Sequence, residues 1–294
     1  MNTGLLFCFL GMIAFGLLGT FSKAAERRKC DANALTVTLF AWATLAMLVR
    51  AIFSGAALVL PAKAAAVAVG CGVCGAVAYY AFQSSIRTGK LSTAWLMMNL
   101  SAAVPALASV AVYGEPLSAL KVASLALVVV AVFLLFFGHR SEDDAQSAAG
   151  GSSALLWVTL MGIVLLTNGM SAFGLKVIAA WGLPESLQPS YLALWYAAGM
   201  LIVAVPAWAR GARPRILEFG WGALLASLSI GGQIAMALAL ARGTPGHVVF
   251  PVAVGGSVLL VTLAGRFAFG ERMSLASTGG VVLGLAAVVL LSVS

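Results

Sequence analysis

Charge is what this chain has least of. Only 9% of its 294 residues are Asp, Glu, Lys or Arg, against about a quarter in an ordinary soluble domain. A surface in contact with water needs those charges, so most of this surface faces something else. Acids are the scarcer sign, nine in all: Glu26, Asp31, Glu115, Glu142, Asp143, Asp144, Glu185, Glu218 and Glu271. None falls in the middle of a long apolar run, so no carboxylate offers a cation site at mid-depth in a membrane. Histidine occurs twice, as His139 and His247. There is no HExxH and no pair of aspartates within an apolar run, which removes the usual metalloprotease and aspartyl patterns. Gly255-Gly256-Ser257 is a weak nucleophile match, and His247 shares its run, so an intramembrane serine enzyme is disfavoured. No catalytic residue, metal ligand set or cofactor motif is read. The four cysteines form no paired framework. Cys71-Gly72-Val73-Cys74 lies inside an apolar run without a second pair or a nearby histidine, and reads as small residues packing helices. The formal charge of +8 sits in short clusters without interleaved aromatics, which argues against nucleic acid.

What is abundant is hydrocarbon. The chain is 62% hydrophobic, with a mean hydropathy of +1.05. A helix needs about 20 apolar residues to cross a hydrocarbon core of about 30 Å. Ten runs meet that need: 4–22, 33–53, 64–86, 92–113, 118–137, 154–175, 188–208, 219–240, 247–268 and 276–293. They are continuous rather than alternating, so helices and not barrel strands are expected. No basic residue precedes the first run, which therefore reads as a membrane helix rather than a signal peptide. The expected fold is an all-α integral membrane protein in the cell membrane, with the lipid bilayer as a partner.

The runs fall into two sets of five. Residues 1–138 and 154–294 flank a polar linker at 139–153. A shift of 153 carries Gly16 onto Gly169, Lys23 onto Lys176 and Trp42 onto Trp195. The shift drifts to 155 at Arg87 and Arg242, and to 156 where Gly114-Glu115 meets Gly270-Glu271. An odd number of spans per unit inverts the second copy, a recurring transporter plan with the substrate site near the midplane. The basic residues follow suit. Loops after runs one and three hold six against three after two and four, whereas those after six and eight hold two against five after seven and nine. With Arg140 one side totals 12 and the other five, which would make the richer side cytoplasmic.

The stretches Tyr79-Tyr80-Ala81-Phe82-Gln83, Ser101-Ala102-Ala103-Val104-Pro105 and Gly114-Glu115-Pro116-Leu117-Ser118 resemble the EamA-type domain of the drug/metabolite transporter superfamily. Phe250-Pro251 and Gly270-Glu271-Arg272-Met273-Ser274 echo it in the second half. The resemblance implies a ten-helix bundle, a cavity between the halves, and alternating access for a small metabolite or drug. It also implies termini in the cytoplasm, opposite to the charge count. The small multidrug resistance proteins, similar to this family, carry a central Glu in the first helix. Residues 4–22 have none, so a cationic substrate coupled through such a carboxylate is not expected. A lipid flippase or a non-transporting scaffold is the alternative on the same fold. Substrate identity and the choice between monomer and homodimer stay open.

Polar groups at membrane depth are the candidate substrate contacts: Tyr79, Tyr80, Gln83, Trp95, Asn99, Asn168 and Gln233. Each could instead serve interhelical hydrogen bonding. Lys23, Lys176, Glu115 and Glu271 are candidates for a gate or for coupling. The lysines could also snorkel to the interface, and the glutamates could cap the starts of the fifth and tenth helices. Pro105 and Pro251 should break helices. His247, opening the ninth run, reads as an interfacial residue rather than a proton carrier.

Overall fold

A computed structural model describes residues 3–55, 58–88, 98–115, 118–143, 151–270 and 275–293. The described residues form helices and turns and no strand. In chain order the helices are α1 (Thr3–Arg27), α2 (Ala32–Phe53), α3 (Ala62–Thr88), α4 (Ala103–Tyr113), α5 (Ala119–Asp143), α6 (Gly151–Ala180), α7 (Gln188–Ala209), α8 (Ile216–Ala241), α9 (Gly246–Phe250), α10 (Ser257–Ala268) and α11 (Leu275–Val293). A π-helical turn, Pro251–Gly255, joins α9 to α10. Among the described residues seven helical segments are long and apolar enough to cross a membrane, and Gly246–Ala268 counts as one of them. Met98–Tyr113 and Val122–Ala131 are shorter apolar helices. Helix α5 runs to Asp143 and α6 begins at Gly151; residues 144–150 of the expected linker lie outside the described residues.

The helix ends follow local chemistry. Asp31 caps α2, its side chain accepting from the Ala34 N–H at 2.8 Å. Gly114 ends α4 at φ 60°, and Gly270 follows α10 at φ 66°, a left-handed conformation that glycine adopts without penalty. The repeated Gly-Glu thus begins with a helix stop.

Large apolar side chains point outward. Leu6, Leu10, Ile13 and Leu17 recur every three or four residues along α1 and stay exposed, as do Leu45, Leu48 and Ile52 on α2. In water such stripes would aggregate; in a bilayer they meet hydrocarbon. The interior holds the larger rings: Phe40, Tyr191, Tyr196 and Phe250 are fully buried. Phe40 stacks on Trp195 with centroids 6.0 Å apart and meets Tyr79 edge-on at 5.7 Å. Trp42, aligned with Trp195 by the repeat, lies outside, its Nε1 donating to the Phe219 carbonyl at 3.1 Å.

Lipid supplies no hydrophobic force between helices, so association rests on close packing and polar bonds. Small residues permit the approach. A Cβ on Gly72 of α3 would fall 2.3 Å from the Trp195 carbonyl oxygen of α7, and one on Gly232 of α8 would strike the Phe15 ring of α1. The pairings reciprocate between the halves: α1 packs on α8 as α6 packs on α3, α2 on α8 as α7 on α3, and α1 on α10 as α6 on α4. Helices α2 and α7 pack together, as do α5 and α11.

Candidate functional site

Two broken helices, Met98–Tyr113 and Gly246–Ala268, cross where Asn99 meets Ser257. Pro105 has no N–H to give the Ser101 carbonyl, which accepts instead from the Val104 N–H at 3.0 Å, leaving a turn at Ser101–Ala102. Pro251 likewise interrupts the ladder of α9. The turn that follows is closed by the Gly256 N–H donating to the Pro251 carbonyl at 2.8 Å. Both expected breaks are present.

Amides hold the crossing together. Ser257 Oγ reaches Asn99 Oδ1 at 2.9 Å and the Val254 carbonyl at 2.6 Å, so its single proton serves one or the other. Asn168 Nδ2 donates to Ser101 Oγ at 2.6 Å and to the Met98 carbonyl at 3.1 Å, tying α6 to the start of α4. Ser257 stands 156 positions after Ser101, the shift that superposes the two Gly-Glu pairs. A neighbouring cavity of about 280 Å³ lies between the Asn99–Leu107 segment, α5 and the π-turn. Asn99 supplies its polar lining, and Ala102, Ala106, Leu125, Val129 and Pro251 much of the rest.

A second assembly lies at one end of the bundle. Glu115, just after α4, takes the Gly246 N–H on Oε1 at 2.9 Å and the His247 N–H on Oε2 at 3.2 Å. It therefore caps α9. Lys176 of α6 forms an ion pair with the same carboxylate, and His247 Nδ1 lies 2.8 Å from Oε2. Lys176 Nζ also sits 5.4 Å from the centre of the Tyr113 ring. Burial alone would raise the Glu115 carboxyl. Hydrogen bonds from His247, Lys176 and the two backbone N–H groups outweigh it and hold the group at about 2. His247 is not interfacial: it is fully buried, and its Nε2 has no hydrogen-bond partner among the described residues.

The opposite end has its own ties. Lys23 Nζ lies 5.4 Å and the Arg27 guanidinium 4.5 Å from the Phe269 ring centre. Phe269 is the residue 156 after Tyr113. Glu218, fully buried at the start of α8, accepts from the Asp31 N–H at 3.1 Å and pairs with Arg215, whose Nη2 donates to the Lys29 carbonyl at 3.0 Å. Arg210 donates to the Tyr80 hydroxyl, bridging α7 and α3.

Of the sequence candidates, Asn99 and Asn168 meet at the crossing, and Lys176 and Glu115 meet at one mouth. Tyr79 packs into the aromatic cluster, Tyr80 holds Arg210, and Gln233 is half-buried beside Gly232. Trp95, Glu271 and the side chain of Gln83 lie outside the described residues. Sequence reading missed His247, Ser101, Ser257 and the Arg215–Glu218 pair. The two serines could have been found by extending the 156 shift inward. Nothing local marks His247.

The fold and its exposed apolar faces define a polytopic, all-helical membrane protein. The EamA-like transporter family matches residues 2–137 of this chain. No curated protein matched the sequence. Among solved structures, a crystal structure titled only as that of a protein superposes with a TM-score of 0.75 over 99% of this chain and 98% of its own, at 15% identity. That likeness concerns the fold alone.

Proposed function

We propose that this protein is a secondary transporter with ten spans in two inverted five-helix units, moving a small metabolite or drug across the cell membrane by alternating access. The observation that carries the reading is the placement of the repeated lysines. Lys176, at the end of α6, joins Glu115 and the start of α9. Gly4, at the start of α1, packs on Thr244 just before α9. Helix α1 then runs alongside α9 and α10, with Gly11 on Ala253 and Gly16 on Leu260, and carries Lys23 to Phe269 at the other end. Equivalent helices thus start at opposite ends, as inversion requires. The reciprocal helix pairings and the family match over residues 2–137 support the same reading.

In this scheme the Asn99 and Asn168 crossing is the substrate-binding region, with Tyr79, Tyr80, Gln83, Trp95 and Gln233 as its proposed wider wall. Glu115 with Lys176, and Glu271 with Lys23, are gates at the two ends. Cells lacking and overproducing the protein should differ in excreted against retained metabolites, and proteoliposome flux of the compounds so found should saturate. Asn99→Ala and Gln233→Ala should alter its rate or selectivity; unchanged flux in both removes the pocket assignment. The apolar cavity beside exposed Leu107 and Val122 favours a second reading, a lipid substrate. Headgroup-labelled lipid crossing between leaflets, with no metabolite flux, would select it.

A further inference from the structure

We propose that His247 is a proton-binding site that closes one mouth of the transporter when empty and releases it when filled. The inference rests on the transporter reading for its purpose, but its geometry stands alone. Glu115 draws three separate elements onto one carboxylate: the end of α4, the end of α6 through Lys176, and the start of α9 through two backbone N–H groups and the imidazole. The first element belongs to one half of the chain and the other two to the second half. Loosening this carboxylate therefore releases a tie that holds the two halves together at this end.

The charges already balance without a proton on the ring. Glu115 contributes one negative charge and Lys176 one positive, and both are largely shielded from solvent. A neutral imidazole donating from Nδ1 to Glu115 completes the set. A second proton would go to Nε2, which is buried and has no acceptor among the described residues. It would add a surplus positive charge beside Lys176 and an unsatisfied N–H, and both are costly away from water. Once the junction opens, water solvates Nε2 and that cost vanishes. By linkage, the proton then favours the open arrangement.

The other groups facing this junction do not compete. Glu115 is ionised throughout the neutral range. Tyr113 lies under Lys176, and Arg242 at the end of α8 lies over the Phe7 ring, 5.3 Å from its centre. The π-turn contributes no titratable side chain. The first half of the chain has no counterpart: the residue 156 before His247 is Leu91. Only one of two related mouths would then read pH, which gives an inverted pair a direction.

The test needs no substrate. Hydrogen exchange of the Gly246–Phe250 segment is followed in the full-length protein in lipid nanodiscs between pH 5 and 8, corrected for the intrinsic rate. Protection should fall about tenfold or more on acidification in the parent protein. His247→Gln should leave protection independent of pH over that range. Lys176→Met should do the same by another route, because the imidazolium then replaces the missing cation beside Glu115. If His247→Gln does not fold, the lysine variant still decides. Protection in the parent that ignores pH, or rises in acid, overturns the proposal. So does a fall in acid that persists in the variants. None of these outcomes bears on whether the protein transports, which flux alone decides.

Discussion

Glu115→Gln is the substitution the structure judges most sharply. The carboxylate is 9% exposed and its lysine partner 15%, and four donors converge on two oxygens. Glutamine keeps one acceptor oxygen, enough for the Gly246 N–H. Its amide then turns an N–H toward donors, either the His247 N–H and ring or Lys176. Breaking a buried pair by neutralising one partner costs about 3–5 kcal/mol. The carboxyl is held at about 2, below its ordinary 4.5, the direction expected of a group whose ionised form these donors stabilise. Because the folded-state value lies below the unfolded one, this stabilisation is complete above 4.5 and drains away as pH falls toward about 2. The assay is SDS-induced unfolding in mixed micelles at pH 7 for Glu115→Gln, Lys176→Met and the double variant. The double variant leaves no unpaired charge and should recover about 2 kcal/mol relative to the sum of the singles. Additivity within about 0.5 kcal/mol would mean the two charges do not feel each other, and the latch would be refuted.

The same unfolding assay reaches other contacts. Gly72→Ala should cost about 1–3 kcal/mol, because the obstacle is the Trp195 backbone and cannot rotate away. Gly70→Ala, two residues along the same helix with nothing within 4 Å, should be neutral or gain up to about 1 kcal/mol; equal losses would mean helix propensity rather than packing decides both. Glu218→Gln leaves Arg215 without its buried anion and weakens the hold on the Asp31 N–H, so a loss of about 2–3 kcal/mol is expected, and parent-like stability would show the network to be idle. Ser257→Ala should cost about 1 kcal/mol, since it removes the hydroxyl that reaches Asn99 Oδ1 and the Val254 carbonyl; parent-like stability would show that contact to be idle.

Much of the helical plan could be read from the sequence because the solvent enforces it. A backbone in hydrocarbon must satisfy itself within each segment, so runs such as 33–53 and 188–208 coincide closely with α2 and α7. The breaks were legible for a related reason: Pro105 and Pro251 remove N–H groups wherever the chain goes. Partner choice was not legible. Glu115 precedes a helix and so reads as its cap, yet it caps α9, 131 residues later. Trp42 and Trp195 align in the repeat, yet one is exposed and the other buried under Phe40. A repeat fixes which residues are equivalent, but what each touches depends on how the copies approach.

That difference between equivalence and contact is where direction can enter. Two identical inverted units would build two identical mouths, and a carrier so made would favour neither side. Here the common parts recur: a glycine stop with φ near 60°, a lysine 5.4 Å from an aromatic ring, and a serine at the crossing. The additions do not. Arg27 joins Lys23 on Phe269 at one end, which stacks a second permanent charge there. At the other end a fully buried histidine lies beside the glutamate. If the proposed alternating access holds, its two states need differ by only about 1.4 kcal/mol for a tenfold bias, an energy that a few asymmetric side chains can supply.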